Sequence, residues 1–193
     1  MGKIVVTEFV SLDGVIEDPG GAEGYRHGGW TFEYDRGEEG DKFKLDELAE
    51  AEAQLLGRVT YEGFAAAWPT IDDESGFAEK MNSMPKYVIS STLREASWNN
   101  STILSGGLAD EIAALHREID GTILVAGSAQ LVQGLLERDL VDELRLMVFP
   151  LVLGEGKRLF SEASEKKSLA LRDSRTLGGG VALFTYEPAG SLG

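Results

Sequence analysis

Residues 122–150 constrain the fold more than any other stretch of this chain. TILVA (122–126) is an apolar strand. Gly127-Ser128 breaks it, and a helix patterned on Leu131, Leu135 and Leu136 follows over 129–138. VDELRLMVF (141–149) is a second, longer strand, stopped by Pro150. Two strands joined through a helix run parallel, because a parallel pair needs a long crossover and a helix is the usual one. The chain is thereby committed to layers of helix packed on sheet.

The remaining segments extend the same alternation. Residues 3–9 (KIVVTEF) read as a first strand, β-branched and largely apolar, expected near the centre of the sheet. SLDG (11–14) turns the chain. Helices are expected over 41–52, from GRVTYEGF onward, and over 108–119, where Leu108, Ile112, Leu115 and Ile119 form one stripe. Short strands are expected at 53–56, 86–90 and 102–104. Residues 168–177 and 181–187 form a closing antiparallel hairpin around Gly178-Gly179-Gly180. The fold class is therefore α/β, a mostly parallel central sheet flanked by helices with a C-terminal antiparallel hairpin. Residues 1–193 are expected to form a single domain. Segment 17–40 is long for a loop, and its aromatics argue for an ordered binding loop or lid rather than disorder.

Composition removes several function classes. There is no cysteine, which excludes disulfides and thiolate chemistry, and the two histidines, His27 and His116, stand in no ligand spacing. No metal is expected. No apolar run is long enough to span a bilayer, and MGKIVVTEFVSLDG carries no apolar core of a signal peptide, so the expectation is a cytoplasmic protein with no membrane partner. The net charge of −15 repels nucleic acid. An anionic ligand must then be met by focused basic groups or helix N-termini.

Three strand-to-helix junctions offer that chemistry. In LLGRVTYEGF, Gly57 allows close approach, Arg58 can bind phosphate bidentately, and Val59, Thr60 and Tyr61 open a helix. In VISSTLR, Ser90, Ser91 and Thr92 stand beside Arg94. In LVAGSAQL, Gly127-Ser128 leads straight into a helix N-terminus, although neither a GxGxxG fingerprint nor a Walker lysine is present. Taken one at a time, each also reads as an ordinary capped helix or polar turn. On parallel strands all three would lie along the carboxyl edge of one sheet, where ligands of open α/β sheets bind.

SLDGVIE, LLGRVTYE, KYVISST, LVAGSAQLVQGLLERDLVDELRLMVFPLVLGEGKRLF and the final hairpin occur in that order. In this the chain resembles the dihydrofolate-reductase-like superfamily. It is most similar to the branch of the C-terminal reductase domain of the bifunctional riboflavin-biosynthesis deaminase-reductase and its stand-alone bacterial relatives. The resemblance implies an NADPH-dependent reductase. It places Gly57, Arg58 and Thr60 at the cofactor phosphates, and Ser90, Ser91 and Thr92 near the adenosine 2′-phosphate. It places Gly127, Ser128, Ala129, Gln130 and Leu131 at the pyrophosphate turn, and Asp13 and Gly14 in the loop beside the nicotinamide. It also implies a homodimer, with strand 141–149 in the region concerned. The substrate would be a small planar heterocycle, pterin-like or a pyrimidine of the riboflavin pathway. Asp13 is the candidate proton donor, and Trp30, Tyr61 and Trp68 are candidate pocket walls. Asp41 stands about where a dihydrofolate reductase has its pterin-binding carboxylate, but no Trp-Phe follows it. A non-catalytic NADPH- or flavin-binding module of the same fold is the alternative reading.

Overall fold

The computed structural model describes residues 1–162 and 165–190. Among the described residues, eight strands form one sheet: β1 (Lys3–Ser11), β2 (Ala51–Gly57), β3 (Lys86–Ile89), β4 (Ser101–Leu104), β5 (Thr122–Ala126), β6 (Glu143–Phe149), β7 (Leu169–Thr176) and β8 (Ala182–Pro188). Their order is β4-β3-β2-β5-β1-β6-β8-β7. The pairs from β4 through β6 are parallel, and β8 runs antiparallel to both of its neighbours. The expected architecture is therefore present. Strand β1 lies inside the sheet, with Ile4, Val5 and Val6 almost wholly buried.

The helices are α1 (Gly37–Glu50), α2 (Arg58–Ala67), α3 (Phe77–Ser83), α4 (Leu108–Glu118) and α5 (Ala129–Glu137). One face of the sheet packs Ile4, Val6, Leu55 and Val125 against Ile112 and Leu115 of α4 and Leu131, Val132 and Leu135 of α5. The other packs Val5, Leu56, Val88 and Leu124 against Leu48 of α1, Tyr61 of α2 and Met81 of α3. Helices α2 and α5 thus leave adjacent strands toward opposite faces. Asp142, beside β6, accepts a hydrogen bond from the Ile4 N–H at 2.8 Å and so ties the chain before β6 to β1.

Helix α1 starts four residues before the expected position because Glu38 and Glu39 occupy its first turn, where negative charge is favoured. Helix α3 is absent from the sequence reading. It is only seven residues long, and Asp73 accepts the Gly76 and Ala78 N–H groups at its start. Residues 17–36 form a loop held by its own hydrogen bonds and by a short helical turn at Trp30–Glu33. Asp18, only 3% exposed, accepts hydrogen bonds from the N–H groups of Ala22, Glu23 and Tyr25. Among the described residues, no helix is long and apolar enough to cross a membrane.

Candidate active site

Strands β2 and β5 are neighbours, and their following helices diverge to opposite faces. The crevice between their carboxyl ends is the topological position at which open α/β sheets bind ligands. Two glycines bring its walls into contact. A Cβ built on Gly57 would lie 1.9 Å from the Ser128 Oγ, and one on Gly127 would lie 3.1 Å from the Thr60 side chain. Each junction therefore requires the glycine of the other. Gly127 (φ 76°) and Ser128 (φ 72°) are both left-handed, a conformation costing a non-glycine residue about 1–2 kcal/mol.

Neither α2 nor α5 has a side chain capping its first turn. Their leading N–H groups, from Arg58 to Thr60 and from Ala129 to Leu131, remain available to an anion. Gln130 is exposed, whereas Leu131 buries its side chain in the core and can offer only its N–H. Thr60 is 8% exposed beside Gly127. Arg58 is half exposed and bonds both oxygens of Glu62, at 3.0 and 3.2 Å. That surface pairing is weak and exchangeable for a phosphate. The third junction lies next door, since Gly57 pairs in register with Ile89 of β3. There the Ser90 hydroxyl accepts the Thr92 and Leu93 N–H groups, so it shapes the turn. Ser91 and Arg94 are exposed, and Arg94 makes no ion pair among the described residues.

Four sequence assignments need correction. Asp13 accepts hydrogen bonds from the Ser11 hydroxyl (2.6 Å) and from the N–H groups of Leu153 (3.1 Å) and Gly154 (2.8 Å). Burial pushes its carboxyl upward, but these bonds prevail and bring it down to about 2. An anion at neutral pH has no proton to donate, so Asp13 fastens the 153–154 loop, while Gly14 (φ 87°) makes the turn behind it. Trp30 is fully buried against Phe149, with its indole N–H on the Glu17 carbonyl. It offers no surface to a ring. Tyr61 is 3% exposed, and its hydroxyl accepts the Trp98 N–H. Trp68 ends α2 at the opposite edge of the sheet, where Asn82 donates to its carbonyl. Lys86, the first residue of β3, donates to the Asn82, Met84 and Asn99 carbonyls there. These aromatics are packing residues.

The sequence reading missed a buried polar cluster on β1, α1 and β6. Thr7 donates to Glu47 at 3.0 Å, and Lys44 donates to both. Arg145, in register with Thr7, lies 3.6 Å from the second Glu47 oxygen and bonds Glu143 at 2.6 Å. That second Glu47 oxygen is buried and accepts no hydrogen bond among the described residues. Glu47, Glu143 and Arg145 of this cluster line a cleft of about 380 Å³ together with Phe43 and Arg175. Asp41, by contrast, is exposed and paired with Arg36. Beside the cluster, Glu8 is 6% exposed and accepts the Gly127 N–H at 3.0 Å. Burial pushes its carboxyl up to about 8, against the lowering effects of that bond and of Lys44, with Glu47 adding to the rise. A carboxylate and a threonine inside an otherwise apolar strand were the available signal. Among the described residues, no group of three His, Asp or Glu is disposed to hold a metal ion.

Sheet order, helices on both faces and the crevice define a dihydrofolate-reductase-like α/β protein. The dihydrofolate reductase of Enterococcus faecalis complexed with NADP(H) has the same fold, with a TM-score of 0.57 and 16% identity over 97% of each chain. A Shewanella sp. PV-4 protein, assigned provisionally to riboflavin biosynthesis, matches at TM-score 0.78 and 24% identity, covering 97% of this chain and 99% of its own. Within that architecture the chain belongs to the RibD C-terminal domain family, which matches residues 2–183. The uncharacterized Bacillus subtilis (strain 168) protein YyaP is 28% identical over 187 residues, 95% of this chain and 94% of its own.

Proposed function

We propose that this protein is an NADPH-dependent reductase that transfers a hydride to a small planar heterocycle, either pterin-like or a riboflavin-pathway pyrimidine. The observation that carries the reading is the interlock of Gly57 with Ser128 and of Gly127 with Thr60. It places two uncapped helix N-termini and Arg58 around one crevice. Those residues fit a dinucleotide. The N–H groups of Ala129, Gln130 and Leu131 suit a pyrophosphate at the positive end of α5. Arg58 and the Thr60 hydroxyl suit the neighbouring phosphate oxygens. Ser91, Thr92 and Arg94 suit a 2′-phosphate, which favours NADPH over NADH. Bound NADPH would supply the hydride to an electrophilic C=N or C=O carbon. The chain's own work is to bind, orient and exclude water.

We read residues 1–193 as one domain acting in the cytoplasm as a homodimer, without nucleic-acid or membrane partners. Strand β6 is paired on both sides, so the free edge available for association on that side is β7, where Leu169 and Leu171 are exposed. One observation favours a non-catalytic binding module: the loop carboxylate Asp13 is ionised and engaged with backbone.

Titration of the purified protein with NADPH and NADH, followed by tryptophan fluorescence and thermal shift, tests the cofactor. Selective NADPH binding is expected. Binding of neither dinucleotide refutes the reductase reading. NADPH oxidation with dihydrofolate, pterins or pyrimidines then separates an enzyme from a binding module.

A further inference from the structure

We propose that Glu8 is a positioning residue. Its neutral carboxyl holds the Gly127 N–H and the left-handed Gly127-Ser128 turn beneath the cofactor phosphates, and its ionisation weakens dinucleotide binding. The inference rests on the cofactor reading above. The register of β1 with β5 pairs Thr7 with Ala126, which sets Glu8 alongside Gly127. One Glu8 oxygen accepts the Gly127 N–H at 3.0 Å, and the other makes no hydrogen bond among the described residues. Two successive left-handed residues, one of them serine, persist only where their surroundings hold them. Glu8 is the side chain that grips the backbone of this turn.

The charged groups that reach Glu8 are Lys44 and Glu47, both on α1. On the other elements against it, Leu146 of β6 (its register partner), Ala126 of β5 and Ala129, Gln130 and Leu131 of α5 carry no charge. Among the described residues, only Lys44 is therefore placed to offset an ionised Glu8. A carboxylate under this turn would set a negative charge beside the pyrophosphate and cancel the attraction of the α5 N-terminus. Burial already raises the carboxyl to about 8, so the neutral form is the resident one at pH 7. By linkage, a ligand that prefers the neutral form must take up a proton when it binds above that pH.

The test is isothermal titration of NADPH into wild-type and Glu8→Gln protein at pH 7 and pH 9, in two buffers of different ionisation enthalpy. Glutamine keeps the acceptor for Gly127 and cannot ionise. At pH 7 the two proteins should bind within about twofold of each other. At pH 9 the wild type should bind about tenfold more weakly than at pH 7 and take up close to one proton, while Glu8→Gln does neither. Parallel pH profiles for the two proteins, or wild-type binding at pH 9 without proton uptake, overturn the role of Glu8 and leave the cofactor assignment standing. Absence of wild-type binding at pH 7 overturns both.

Discussion

Substituting Gly57 by alanine should introduce one methyl group where the Ser128 side chain already sits. The new Cβ would fall 1.9 Å from the Ser128 Oγ and 2.8 Å from its Cβ, both impossible approaches. The backbone of Gly57 is not the obstacle, since φ −81° and ψ 162° suit any residue. Overpacking of this kind costs about 1–3 kcal/mol, and the Gly→Ala entropy gain of about 0.4–1 kcal/mol offsets only part of it. Ser128→Gly alone should be nearly neutral. It relieves a left-handed serine, while the unfolded chain gains a comparable freedom. In the double variant the alanine methyl occupies space vacated by the serine hydroxyl. The two substitutions should therefore couple favourably by about 1.5–3 kcal/mol. Urea unfolding of wild type, both single variants and the double variant measures that coupling directly. Additivity within about 0.5 kcal/mol would refute the interlock, and with it the geometric basis for one shared crevice.

Arg58→Ala should weaken NADPH binding by about 1.5–3 kcal/mol, roughly 10- to 150-fold, with little change in melting temperature; unchanged affinity would remove Arg58 from the site. Glu8 carries a raised carboxyl, about 8 against an ordinary 4.5, so the native state holds a proton that the unfolded state has lost. Its contribution to stability is complete below pH 4.5 and declines by about 1.4 kcal/mol per pH unit until pH 8. Glu8→Gln should abolish that slope in urea titrations across pH 5–8. Asp13 is the reverse case, lowered from 3.8 to about 2. Its contribution is present above pH 3.8 and lost as pH falls through 2, so in urea unfolding Asp13→Asn should lower stability at pH 7 and reduce its decline in acid. NADPH selectivity over NADH should fall as ionic strength rises if Arg94 reads a 2′-phosphate, which parallel titrations at low and high salt would show.

The order of elements was legible because hydrophobic period and glycine punctuation are local. Strand-ending Gly57 and Gly127-Ser128 marked two junctions whose mutual contact no local pattern encodes. Distance along a helix explains the error over Trp68. It stands eleven residues after Gly57, and a helix of ten residues is about 15 Å long, enough to carry it to the far edge of the sheet. Trp30 was read as a wall because aromatics in a loop suit both a pocket and a core, and only tertiary packing decides. The buried cluster was hidden for a different reason. Lys44 and Glu47 look like an ordinary solvated pair on an acidic helix, and it is Thr7 and Arg145, 138 residues apart yet adjacent in the sheet, that enclose them.

The central position of β1 also bears on how the chain emerges from a ribosome. The first strand of this sheet has no nearby partner in sequence to wait beside. Its two neighbours are β5, beginning at Thr122, and β6, whose Met147 pairs with Phe9. At roughly 5–20 residues per second, the nascent segment waits about 7–28 s before Met147 is even polymerised. During that interval a β-branched, apolar strand with two unsatisfied edges is exposed to other chains. Glu8 and Lys3 are its only charges. The carboxyl that ends up buried under a turn is, earlier in the life of the molecule, an ionised gatekeeper in an exposed apolar strand.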